Sequence, residues 1–314
     1  MIGQAWVLQP QPAPTLFRQD FASNEEIMAD THKTNEVSIN EMAAKRFLLT
    51  PRDRQMIRWV HDARAATREQ LQRLFFSAAS KSRCQHRLTV LYRHRFLDKL
   101  PRRSASEPDV YYMSRRAFRG LRELRGAGLS DAAPTRLAPL RVPHILAISS
   151  CRAALTAACD PAGYQLDFWI DEMAIAPYTE AFGFIPDGYF QIRRSTNEGE
   201  RRAAFFLEVE RSGKSKRALT DRFAKYARFY YDGHYERLFG TKALRTLFLI
   251  ASDYGMNPMQ HIETCVRLCE KAGATFFRFA ALDDVLQLSG TDLLLSPTWR
   301  QPGTGDLWPL FTLG

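Results

Sequence analysis

Apolar residues recur with two different periods along the chain, and the change of period divides it. From residue 50, "TPRDRQMIRWVHDAR" places Met56, Ile57 and Val60 on one helical stripe, with Thr50 as N-cap and Pro51 in the first turn. "ATREQLQRLFF" repeats the device, Thr67 and Gln70 forming a capping box ahead of Leu71, Leu74 and Phe75. A third helix is expected over "SKSRCQHRLTVLYRHR", burying Cys84, Leu88 and Leu91. "FLDKLPRRSASEPDVYYMS" then reads as strand, polar turn (Pro101 to Asp109) and strand, and "RRAFRGLRELRG" as a return to helix.

Beyond residue 143 the pattern becomes that of an α/β domain. A helix is expected over about His144 to Ala158, followed by strands in "GYQLDFWIDE", "FIPDGYFQIRR" and "RAAFFLEVER". The long helix "KRALTDRFAKYARFYYDG", the strand "LRTLFLIAS", the helix "NPMQHIETCVRLCEKAG" and the strand "ATFFRFAAL" complete the order. The expected organisation is a flexible tail (1–45), a helical domain (46–126), an Ala/Pro/Leu-rich linker (127–143), an α/β domain (144–288) and a C-terminal extension (289–314) whose two Trp residues have no evident assignment.

Helix, helix, helix, hairpin, helix is the order of a winged helix-turn-helix, and charge sharpens that reading. The net charge is +10, and residues 46–125 hold twenty Lys/Arg against seven Asp/Glu. The remaining 126–314 balance, so the basic excess belongs to one segment, which attracts polyanions by counterion release. Double-stranded DNA is the expected partner. Lys81, Arg83, Gln85, His86, Arg87 and Thr89 on the third helix are the candidate DNA-binding residues, with Arg102 and Arg103 on the wing. A winged helix serving as a protein-interaction module is the alternative, and a homodimer or a replication or mobilisation partner protein stays open.

Composition excludes other classes. The chain is 45% hydrophobic and 25% charged, without a basic, apolar leader or an uninterrupted apolar run of membrane length, so a cytoplasmic protein with no membrane partner is expected. The five cysteines form no CxxC pair, which argues against a disulfide framework or a zinc site.

The stretch that carries candidate chemistry is "FIPDGYFQIRRSTNEGERRAAFFLEVER". Strand alternation sets Phe205, Leu207 and Val209 on one face and Phe206, Glu208 and Glu210 on the other. A turn near Asn197 and Glu198 places residues whose numbers sum to about 395 opposite each other, so Asp187 faces Glu208. Three readings of these carboxylates follow: ligands of one divalent cation, partners of Arg211, Lys214, Arg222 or Lys225 in a charged network, or a solvated strand face.

Pro186-Asp187 followed by Glu208-Val209-Glu210 on the next strand, within an αβββαβ mixed-sheet order, resembles the restriction-endonuclease-like PD-(D/E)xK fold. That resemblance implies Mg²⁺ held by Asp187, Glu208 and Glu210 and a Mg²⁺-dependent DNA endonuclease. Glu210 stands where the family has its lysine, and Lys214 or Lys225 would have to supply the cation, so a degenerate nuclease-like domain is the favoured expectation and the endonuclease its alternative. The winged-helix order, "PDG", "FLEVERSGKS" and the downstream "KYARFYY" together resemble the replication-relaxation family of plasmids and mobile elements, over about residues 48–285. Membership implies DNA binding tied to plasmid replication or its control, and implies no particular enzymatic activity.

Overall fold

The computed structural model describes residues 48–102, 104–120, 137–196, 199–252, 255 and 257–311. The expected tail 1–45, Arg103, residues 127–136 of the expected linker and the turn residues Asn197 and Glu198 lie outside them. The chain divides between Ala153 and Ala154 into two compact units.

The first unit contains helices α1 (Pro51–Asp62), α2 (Arg68–Phe75), α3 (Lys81–Arg93) and α4 (Arg115–Gly120), with strands β1 (Ala66–Thr67), β2 (Leu97–Lys99) and β3 (Val110–Met113). The strands form an antiparallel sheet in the order β1-β3-β2. Both capping boxes form: Thr50 with Asp53 opens α1, and Thr67 with Gln70 opens α2. The core joins Met56, Ile57, Trp59 and Val60 of α1 to Leu71, Cys84, Leu88, Leu91, Tyr111 and Met113. Helix α5 (Val142–Cys159) contributes as well, since Ser149 Oγ donates to Ala65 O and Gln70 Nε2 donates to Leu146 O. The helical stretch Pro139–Ala162 has the length and hydropathy (1.3) of a membrane span, half of its apolar window being buried inside the protein. Arg141, Ser149-Ser150 and Arg152 hide this length from a search for unbroken apolar runs.

The second unit is a mixed α/β domain. Strands β4 (Gln165–Asp171), β5 (Gly188–Thr196), β6 (Gly199–Glu210), β7 (Arg245–Ile250), β8 (Phe277–Ala281), β9 (Trp299–Arg300) and β10 (Leu307–Trp308) make a seven-stranded sheet in chain order. The β6–β7 and β7–β8 pairs are parallel and the others antiparallel. Helices α6 (Glu172–Thr179), α7 (Lys216–Tyr231), α8 (His234–Phe239) and α9 (Pro258–Lys271) fall between the strands, and α10 (Leu282–Gln287) and α11 (Asp292–Leu295) follow β8. Gly233, at φ 74°, takes the left-handed turn that separates α7 from α8.

Three differences from the sequence expectation appear here. Helix α6 interrupts the run of three strands, its Asp171 N-cap accepting from Ala174 N although Pro177 lies inside it. Residues 289–314 are not merely an extension, because β9 joins the sheet between β8 and the edge strand β10, and Trp299 is buried. The break between units falls within α5 rather than in residues 127–143.

The β5–β6 hairpin has the expected register: Gly188 pairs with Leu207 and Thr196 with Gly199. One sheet face is dominated by rings. Phe206, Phe248, Phe277 and Phe279 pack on Phe223, Tyr226 and Phe229 of α7 and on Ile262 and Cys265 of α9. Edge-to-face contacts such as Phe223 on Phe277, at 5.1 Å and 77°, order this layer. On the opposite face Trp169, Phe190 and Phe205 stack in sequence.

Within the first unit the stability-critical polar contact is Asp53, which is 0% exposed and receives Arg87 Nε at 2.6 Å and Thr50 N at 2.6 Å. Burial alone would raise its pKa, but the hydrogen bonds from Arg87 and Thr50 outweigh it and hold the carboxyl below its ordinary 3.8. A depressed native pKa contributes stability that is complete above pH 3.8 and disappears as pH falls through the lower native value. Asp53→Asn is therefore expected to lower stability near neutral pH by about 3 kcal/mol in urea titrations, with a smaller further loss than the parent between pH 5 and 2.

Candidate functional site

Two places carry the residues singled out by sequence, one in each unit. The first is the acidic end of β6, a central strand flanked by β5 and β7. Asp187, Glu208 and Glu210 are 9%, 2% and 1% exposed, so the solvated-face reading does not describe them. Asp187 is tied to β6 twice, its N–H donating to Leu207 O at 2.9 Å and its Oδ2 accepting from Val209 N at 2.7 Å. This bonding sets Asp187 beside Glu208, as their electrostatic interaction shows.

Glu208 lies under α7. Arg222 Nη2 donates to its Oε2 and Tyr226 OH donates to its Oε1. Residues four apart on a helix share a face, which is why one carboxylate receives both. Burial pushes the Glu208 carboxyl above the usual carboxylate range, against the pull of Arg222, and the Asp187 carboxylate adds to the rise. Burial also drives the Tyr226 hydroxyl well above its ordinary value, so it remains a donor.

Glu210 has a separate set of partners. Lys214 Nζ lies 2.6 Å from Oε2, while Ser212 N (2.7 Å) and Ser212 Oγ (2.6 Å) both donate to Oε1. Burial would raise this carboxyl too, but Lys214 and Ser212 bring it below its ordinary value. His261 of α9 interacts with Glu210 and Lys214; burial lowers its pKa, and its Nε2 is buried without a hydrogen-bond partner. Sequence reading missed His261, which carries no motif and reaches the strand only through the packing of α9.

The cation candidates separate. Lys214 is at the carboxylates, bound to Glu210. Lys225 is not: its ammonium pairs with Asp221, one helical turn earlier, at 2.7 Å and its stem runs beside Gly183. Each of the four oxygens of Glu208 and Glu210 thus accepts a protein donor. Among the described residues no group of three or more Asp, Glu, His and Cys is placed to hold a metal ion. As arranged, this donor set does not fit Mg²⁺, which takes unencumbered oxygens in near-octahedral geometry.

The second place is α3. Lys81, Arg83 and His86 are exposed. Arg87, expected on DNA, is instead committed to buried Asp53 and to Leu48 O. Gln85 Nε2 donates to Tyr111 OH at 3.5 Å, so it turns toward β3, and Thr89 Oγ1 donates back to Gln85 O within its own helix. On the hairpin, Arg102 and Lys99 both pair with Asp109, at 3.3 and 2.8 Å. A cleft lined by Arg52, Phe76, Ser82, Arg83 and His86, among others, opens beside the start of α3. Arg52, unremarked in the sequence, lies over the Phe76 ring at 4.9 Å. Helix α3 has no acidic residue in its first turn and no side-chain cap at Ser80, so its positive end stands uncompensated beside Lys81 and Arg83.

The ion pair beneath α7 yields a direct expectation. Removing one member of a buried pair strands the other, so Glu208→Ala and Arg222→Ala are each expected to destabilise the chain by about 3–5 kcal/mol in chemical denaturation. Glu208→Leu combined with Arg222→Met is expected to cost clearly less than the two single changes added together.

Comparison with curated proteins and with solved structures returns no match. A family model, described as replication-relaxation, matches residues 57–242, more than half of the chain, including α3 and the acidic end of β6. The chain therefore belongs to the replication-relaxation family.

Proposed function

We propose that the chain is a DNA-binding protein acting in the replication of a plasmid or mobile element, or in its control. In this reading the first unit is a winged helix that sets α3 in the major groove of double-stranded DNA. The second unit has a restriction-endonuclease-like fold whose acidic strand holds the domain together rather than cutting. The observation that carries the DNA reading is the uncompensated positive start of α3, where Lys81, Arg83 and His86 are exposed and meet no acidic partner among the described residues. A helix beginning in cations opposes its own dipole, and a phosphate placed there removes the conflict.

Three features support a non-cleaving second unit. Glu210 replaces the lysine of the nuclease motif, Lys214 is spent on Glu210, and Arg222 with Tyr226 occupies Glu208. The cut of a phosphodiester needs a metal-activated water, and carboxylates bound to internal donors are poorly prepared to supply one.

Fluorescence anisotropy with duplex oligonucleotides across a salt series tests the first half. Each of Lys81→Ala and Arg83→Ala is expected to weaken binding and to reduce the salt slope by about one unit. An unchanged slope in the double variant would show that α3 does not meet the backbone. Incubating supercoiled plasmid with Mg²⁺ or Mn²⁺ tests the second half. No nicking is expected; nicking that disappears in Asp187→Asn and Glu208→Gln variants shown to be folded by circular dichroism would establish a Mg²⁺-dependent endonuclease instead.

A further inference from the structure

Arg245 and Arg278 are partly buried arginines on adjacent strands of the second unit. In the parallel register Phe205 lies opposite Arg245, and Leu247 lies opposite Arg278. Both side chains therefore leave the sheet on the Phe205 face, away from the aromatic layer under α7 and α9 and at the strand ends remote from Glu208. Adjacent strands are spaced by about 4.8 Å and residues along a strand by about 3.3 Å, which puts these diagonal neighbours roughly 8 Å apart at the backbone. Two arginine side chains span that separation easily.

Their partners are unusual. Arg193 is matched by Asp167, and Arg222 by Glu208. Arg245 instead donates from Nη1 to Leu310 O at 2.9 Å. Arg278 donates from Nη1 to Phe277 O at 2.7 Å and to Thr275 O at 3.2 Å. Neither meets a carboxylate among the described residues. Burial lowers the pKa of both, and the Arg245 charge helps bring Arg278 down to about 10. Two like charges are held close together with the Nε and Nη2 donors of each left over.

We propose that Arg245 and Arg278 form a binding site for a phosphate-type oxyanion on the sheet face opposite α7. Main-chain carbonyls orient each guanidinium through Nη1, leaving the remaining edges to grip the oxygens of one anion. Planar guanidinium forks match phosphate geometry, and a dianion placed between them replaces mutual repulsion with two charge-assisted contacts. The anion is either free inorganic phosphate or a phosphate of a nucleic-acid backbone, and the two sources share this chemistry. The site does not depend on the α3 reading, since it lies within the other unit.

The test uses the full chain carrying Lys81→Ala, Arg83→Ala and His86→Ala, so that α3 contributes no DNA contact. Thermal unfolding is followed in phosphate and in chloride of equal ionic strength. The apparent Tm is expected to rise by about 3 °C in phosphate at tenfold excess over Kd. Arg245→Gln and Arg278→Gln are expected to lose most of that rise. In chloride, Arg278→Gln is expected to be at least as stable as its parent, because the repulsion is gone. Arg278→Lys, which keeps charge and loses the fork, guards against a folding defect and is expected to bind phosphate several-fold more weakly while melting like the parent in chloride. A duplex oligonucleotide in chloride forms the second arm: a rise there that depends on Arg245 identifies backbone phosphate, and a rise confined to inorganic phosphate identifies the free ion. Equal rises in the parent and both Gln variants, or none with either ligand, would overturn the proposal.

Discussion

The second unit is organised around the burial of one carboxylate. Glu208 sits in the middle of the sheet, on the face where Phe206, Phe248, Phe277 and Phe279 meet α7, and an ionised carboxyl there is costly unless it is bonded on every side. Arg222 and Tyr226 meet that demand from one face of α7, which fixes how the helix is rotated above the strands. The same rotation sends Leu219 and Phe223 into the aromatic layer and turns Lys225 away toward Asp221. Asp187, held to the amide of Val209, pins β5 beside the strand that carries Glu208. Charge, helix orientation and strand register are therefore consequences of one constraint.

The first unit has a parallel arrangement on a smaller scale. Asp53 is buried at the start of α1, and Arg87 reaches across from α3 to meet it. That pair fixes the angle between the two helices and removes Arg87 from the outward face. Lys81, Arg83 and His86 remain, displaced toward the beginning of α3. The division of labour within α3 is thus set by helical face: Lys81, Arg83 and His86 stay exposed, Cys84, Leu88 and Leu91 enter the core, and Arg87 serves Asp53.

Much of this was legible from sequence because local rules govern it. Capping at Thr50 and Thr67, the alternation in "AAFFLEVER" and the 395 sum for the hairpin all depend on neighbours along the chain or on a single turn. Helix α6 was missed because Pro177 reads as a breaker, although it lies in the interior of a short helix opened by a well-formed Asp171 cap. Strands β9 and β10, of two residues each, carry too little pattern to register. The site was legible in its carboxylates and not in their partners. Arg222, Tyr226 and His261 come to β6 through the packing of α7 and α9, and Arg87 was assigned to DNA because a basic residue on a presumed recognition helix gives no sign of a buried aspartate 34 positions earlier.

The central claim is that Glu208 is a structural partner of Arg222 and Tyr226, not a metal ligand. Anomalous diffraction from crystals of the full chain equilibrated with Mn²⁺ tests it most directly. The account predicts no anomalous peak within coordination distance of Asp187, Glu208 or Glu210, with Arg222 still on Glu208. A Mn²⁺ ion bound between Asp187 and Glu208, with the Arg222 side chain displaced, would contradict it.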